Sequence, residues 1–230
     1  MSDTLHFVSN ELQLMALSFM AIVYIIRIRW LLKYKASRDR QAPSERRDTS
    51  SLKGIIYSWA NIAMPWSMES TRRMFFFYLQ FVVFHLAVAA NITLSFVISY
   101  APGLMKPIIV VRMLQILFAA ACAIGCYRMY RRLSNPTMRL ISTPDDLFSL
   151  GLLTVWSFAS IFAAPNRPDL GEGPLMVYFI MTAFFLVYVP FSKISHYLYY
   201  PFTRFYFGRT LGYRGVYPVK HVVQPKPTRT

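Results

Sequence analysis

Five long apolar runs set the rhythm of this chain, at about 12–34, 74–100, 107–130, 147–164 and 175–200, and polar or basic stretches separate them. Each is close to the roughly 20 residues that carry an α-helix across about 30 Å of hydrocarbon. Residues that stop helices gather at their ends: Ala101-Pro102-Gly103 after the second run, Leu133-Ser134-Asn135-Pro136 after the third, and Pro165 and Pro174 around the loop after the fourth. Ahead of the fourth, Ser142-Thr143-Pro144-Asp145-Asp146 reads as a helix start, with Ser142 or Thr143 as cap and two carboxylates at the positive end of the helix. The pattern predicts an all-α integral membrane protein, with a five-helix transmembrane bundle over 1–200 and a polar tail over 201–230.

Charge orients that bundle. All but Lys106, Arg112 and Arg167 of the 25 Lys and Arg fall in the segments 27–73, 128–139 and 193–229. Nearly uncharged connections alternate with these, which is the positive-inside pattern and argues against a nucleic-acid patch despite the net charge of +15. The basic segments are expected in the cytoplasm, the N-terminus outside and the C-terminus inside. The first run meets Arg27, Arg29 and Lys33 at its far end, the reverse of a cleaved signal, and is expected to remain as a helix. The segment 35–52 reads as a solvated linker. The segment 54–68, with Trp59 and Trp66, reads as a short helix at the inner membrane interface.

Composition agrees, with 55% hydrophobic, 17% aromatic and only 15% charged residues, where soluble domains carry about 25% charged. Two cysteines, Cys122 and Cys126, lie four apart in an apolar run. They cannot hold an iron–sulfur cluster, which takes about four thiolates, and read as small packing residues.

Of four histidines, only His85 and His196 fall inside apolar runs. If helix two starts near Met74 and helix five continues to Arg204, helix rise places them about 16 Å and about 12 Å from the inner ends of two antiparallel helices. Two imidazoles at matched depth form a frame for bis-axial haem ligation; the alternative is an ordinary hydrogen-bonded role for each. No Cys, Asp or Glu at that depth completes a zinc site. Arg72, Arg73, Lys193 and Arg204, near the inner ends, are candidates to pair with haem propionates.

Three stretches carry a resemblance: His85 through Pro102; Arg131-Arg132-Leu133-Ser134-Asn135-Pro136 with Ser142-Thr143-Pro144; and Pro190-Phe191-Ser192-Lys193 followed by His196. With them, the chain resembles the gamma, cytochrome b subunit of respiratory nitrate reductase and its relatives, including the membrane subunits of heterodisulfide-reductase-like and sulfite-reduction-linked complexes. The resemblance implies a multi-pass protein of the inner (cytoplasmic) membrane. It implies electron transfer between membrane quinone or quinol and a cytoplasmic iron–sulfur partner, heterodisulfide-reductase-like or nitrate reductase beta-like, as a subunit of a complex rather than a stand-alone enzyme. It assigns His85 and His196 to the inner haem b and Lys106 to the quinone pocket, where an interfacial lysine reaching for water is the plainer alternative. The family's outer haem pair falls on Ser95 and Tyr178, neither a usual haem b ligand, so one haem is expected.

Two rival readings stand beside this one. A transporter or channel would call for deep carboxylates, which the runs lack. A haem-free membrane anchor that recruits a soluble redox enzyme would share the topology. The tail, with Arg204, Arg209, Arg214 and Lys220 among Tyr206, Tyr213 and Tyr217, is expected to dock the iron–sulfur partner or to rest on anionic membrane lipid.

Overall fold

The computed structural model describes residues 2–34, 40–43, 49–64, 66 and 69–218. Their helices, in chain order, are α1 (Asp3–Lys33), α2 (Ser51–Ala60), α3 (Glu69–Arg73), α4 (Phe75–Tyr100), α5 (Ile108–Ser134), α6 (Pro136–Ile141), α7 (Pro144–Ala163), α8 (Gly173–Tyr188) and α9 (His196–Tyr213). No strand occurs among the described residues. The five expected membrane helices are present: α1, α4, α5, α7 and α8 with its 3-10 extension to Phe191 are each long and apolar enough to cross a membrane. The chain divides into two compact units, one from Met1–Lys33 and Leu79–Ser195, the other from Tyr34–Tyr78 and His196–Thr230.

In the first unit the helices turn large apolar side chains such as Ile22, Ile116, Phe158 and Phe184 outward. Inside they bury the rings of Trp156, Tyr178, Phe118 and Phe179 together with small and hydroxyl-bearing residues such as Ala87, Ala121, Ser157, Ser160 and Ala163. The outward apolar side chains suit a lipid surround, and the buried small ones let helices approach closely there. α5 meets α7, while α8 meets both α1 and α7. At Gly125 of α5 a Cβ would lie 2.1 Å from Thr154 Oγ1 of α7, so only glycine permits that approach. Within α5, Arg112 donates to Gln115 Oε1 at 3.2 Å, and the Gln115 amide reaches across to the Ile161 carbonyl at 2.9 Å.

α1 starts well before the expected residue 12. Ser2 caps it by accepting from the Leu5 N–H, and a π turn over Phe7–Glu11 absorbs the polar Ser9-Asn10-Glu11. Gln13 then donates to the Val8 carbonyl at 3.0 Å and the Phe179 carbonyl at 2.7 Å, tying the bulge to α8. α7 opens on a capping box in which Thr143 and Asp146 satisfy each other's backbone N–H, with Pro144 in the first turn.

The largest departure from the expected layout is at the fifth run. A single helix over 175–200 is expected, but α8 tightens to a 3-10 turn at Val189–Phe191 and stops at extended Ser192 (φ −101°, ψ 170°). Pro190 explains it: it has no N–H for the helix ladder and its ring crowds the preceding turn. Ser192 then fixes the corner, donating to the Val189 carbonyl and accepting from the Ile194 N–H. His196 therefore begins a separate helix, so the rise of one continuous fifth helix does not set its depth.

The second unit is built on α2 and α9. Gly54, Gly208 and Gly212 let the two backbones touch: a Cβ on Gly54 would lie 2.2 Å from the Gly208 carbonyl oxygen. Ser50 N–H donates to the Gly212 carbonyl, and the Trp59 indole donates to that of Pro201. The tail beyond residue 201 is thus helical as far as Tyr213; residues 219–230, including Lys220, lie outside the described residues, as do 35–39 and 44–48 of the basic linker.

Candidate functional site

His85 projects from α4 as an exposed side chain. Its Nδ1 lies 2.8 Å from the Phe81 carbonyl oxygen one turn earlier, and the Phe81 ring sits 4.1 Å away, centroid to centroid. A carbonyl can only accept, so Nδ1 holds the proton and Nε2 carries the lone pair. That is the tautomer and orientation of a metal-ligating histidine whose second nitrogen is steadied by the backbone. His196, the first residue of α9, is also exposed and belongs to the second unit.

Ser95 and Tyr178, where the resemblance would put an outer haem pair, lie within one packed cluster. The Tyr178 hydroxyl donates to the Asn91 carbonyl at 2.6 Å, and Ser95 is among its hydrogen-bonding neighbours. The Tyr178 ring stacks on Trp156 with planes 10° apart; Trp156 stacks in turn on Phe185 and donates its indole N–H to Thr182 at 3.0 Å. Tyr178 and Trp156 are fully buried. Bulk and hydrogen bonds fill this part of the bundle. Asn91 adds a polar contact, its Nδ2 3.5 Å from Ser157 Oγ.

Lys106 follows the 3-10 turn Pro102–Met105 and lines a cavity of about 530 Å³ with Pro102, Ile108, Asn166 and Arg167. Met105 also borders an apolar slot of about 390 Å³ between α4 and α5, walled by Ala90, Leu94, Val97 and Leu114. An apolar slot beside a basic mouth can hold an isoprenoid-like tail and a polar ring. Asn166, in the left-handed region at φ 49°, borders this cavity and a second one, of about 310 Å³, lined by Ser9, Asn10 and Ser99. Sequence reading missed Asn166; its place between two prolines-bearing stretches was the available signal. Arg167 is held by a bidentate pair with Asp169 at 2.8–3.0 Å, which keeps that carboxyl below its usual range. Nearby Glu172 accepts from the Ser2 hydroxyl and backbone N–H, and these bonds hold its carboxyl low as well.

Lys193 has definite partners. Its ammonium donates to Asp146 Oδ1 at 3.0 Å and Thr143 Oγ1 at 2.9 Å, while its backbone N–H reaches Asp145 Oδ2. Tyr188 donates to Asp145 Oδ1 at 2.5 Å and contacts Ser149. Two of the motifs that carry the resemblance thus meet in one polar clasp. The other expected propionate partners lie in the second unit: Arg72 and Arg73 end α3, and Arg204 sits 5.2 Å above the Tyr200 ring. Cys122 and Cys126 remain thiols along α5. Among the described residues no three His, Cys, Asp or Glu side chains gather as a metal-binding cluster.

Scanned against protein-family models, curated proteins and solved structures, the chain returns no match.

Proposed function

We propose that this chain is the haem b-carrying membrane subunit of a respiratory redox complex, passing electrons between membrane quinone or quinol and an iron–sulfur partner on the cytoplasmic face. The observation that carries the reading is His85: an imidazole on a membrane-length helix, with Nδ1 bonded to the Phe81 carbonyl, which makes Nε2 the basic nitrogen. His85 and His196 would hold the iron, and a haem so held supplies one-electron chemistry. Arg72, Arg73 and Arg204 are the basic side chains proposed for its propionates. Lys193, engaged by Asp146 and Thr143, is better read as a structural clasp.

The packed Trp156–Tyr178 cluster supports a single haem, since the outer pair of the resembling family has a buried tyrosine and a serine in its place. Quinone enters as substrate. The cavity at Lys106 suits its polar ring and the slot along α4 and α5 its tail. Lys106 would donate a hydrogen bond to a quinone carbonyl, and the apolar walls would exclude water.

The distribution of basic residues supports an N-terminus outside, a C-terminus in the cytoplasm, and residence in the cytoplasmic membrane. A reporter fused after Thr230 that works only in the cytoplasm is expected; one active only outside overturns this orientation. The competing anchor reading shares the bundle and binds no haem, so the visible spectrum of the purified chain separates the two.

A further inference from the structure

α2 packs on α9 through Gly54 and Ser58, both buried. Away from that contact Leu52 and Ile56 are exposed, at 65% and 59%, one turn apart on a stripe that Trp59 flanks, itself 49% exposed and with its indole N–H bonded to the Pro201 carbonyl of α9. Lys53 is exposed beside that stripe. Neither α2 nor α9 contains a single Asp or Glu, while Lys53, Arg204 and Arg209 are all basic. α9 adds exposed aromatics at Tyr197, Tyr206, Phe207 and Tyr213. An apolar stripe flanked by an indole, next to cations on two helices whose sequences hold no carboxylate, has the chemistry of a helix lying in the headgroup layer of an anionic membrane.

We propose that the α2–α9 unit is a lipid-surface module: α2 lies in the interface with Leu52 and Ile56 among the acyl chains, Trp59 at the boundary, and Lys53 and Arg209 among anionic headgroups. Charge selects anionic lipid as the occupant. A purely apolar protein contact would not call for a carboxylate-free pair of helices, and a zwitterionic surface would not reward it. The glycine contacts give the stripe a rigid backing, because rotating α2 about its axis would bring a Cβ in place of Gly54 against the Gly208 carbonyl.

Site-directed spin labelling of the full chain in nanodiscs tests this. Ile56→Cys and, separately, Leu52→Cys are labelled in a Cys122→Ser, Cys126→Ser background, and the nitroxide's accessibility to oxygen and to a water-soluble nickel chelate is compared. In discs of equal parts phosphatidylcholine and phosphatidylglycerol, both labels should favour oxygen several-fold over a label at exposed Gly103. Lys53→Glu with Arg209→Glu should shift both labels toward water. Labels that stay water-accessible in anionic discs overturn the proposal, as does equal immersion in pure phosphatidylcholine. Immersion seen only after adding a soluble protein partner would assign the stripe to that partner instead and also overturn it. Because two label positions are read on independent variants, misfolding of one, seen as loss of monodispersity, leaves the other decisive.

Discussion

Lys193 and Asp146, 47 residues apart, meet as an ion pair of 3.0 Å that joins the corner after α8 to the capping box of α7. The pair sits at a half-exposed position: the lysine side chain is 57% exposed and the aspartate 18%. Its Coulomb gain is therefore modest, and the geometric consequence is larger than the energetic one. Lys193 is held by Thr143 and Asp146, the two residues that start α7, so the end of one membrane helix is registered against the start of another.

Thr143→Ala should remove the cap of α7 and cost about 1 kcal/mol. Lys193→Met, losing a partly screened pair, should cost less than about 1 kcal/mol. Neither should change the haem spectrum, because the clasp is structural. Thermal unfolding in detergent, read beside the visible spectrum, checks both; loss of haem in Lys193→Met would return the lysine to the propionates.

The Trp156 cluster fills the space between α7 and α8. Trp156→Ala removes a fully buried ring stacked between Tyr178 and Phe185 and should cost about 3–5 kcal/mol. Tyr178→Phe keeps the ring and loses the bond to the Asn91 carbonyl, so about 1–2 kcal/mol is expected. Haem content should be unchanged in Tyr178→Phe.

Lys106→Ala should weaken quinone binding about tenfold, the loss of one charge-assisted hydrogen bond, with no change in haem absorption. Titration of the purified chain with a soluble quinone analogue reads this directly. Affinity that stays at the parent value would leave Lys106 as a residue that simply reaches for water.

Two glycines offer a matched pair. Gly54→Ala places a methyl on the Gly208 carbonyl and should cost about 1–3 kcal/mol as α2 and α9 are forced apart. Gly103→Ala meets nothing within 4 Å and should be neutral or slightly stabilising. Equal melting points for the two variants would contradict the tight crossing.

The five membrane helices were legible because their length and hydropathy are local properties of the chain. Their ends were less so, for identifiable reasons. Pro190 was visible, yet Tyr197-Leu198-Tyr199-Tyr200 kept the fifth run apolar past the break, and only the backbone at Ser192 shows where α8 stops. The early start of α1 depends on Ser2 as cap and on a π turn that accommodates Ser9-Asn10-Glu11, neither of which has an apolar period. Gly208 and Gly212 carry meaning only against Gly54, and Lys193 only against Asp146; such long-range pairings leave no mark in a single sequence. At the candidate site, the sequence singled out His85 and Lys106. The Phe81 bond that orders the imidazole and the place of Asn166 between two cavities required coordinates.

The reading as a cytochrome b stands or falls on the visible absorption of the purified chain, paired with haem extraction. The expected result is a reduced-minus-oxidised spectrum of a low-spin, bis-histidine b-type haem, with about one equivalent per chain, lost in both His85→Ala and His196→Ala. A spectrum without haem bands from chain produced with ample haem would contradict it and leave the membrane-anchor reading. About two equivalents per chain would contradict the single-haem assignment, and an alanine variant that kept its full haem would contradict the ligand that it removed.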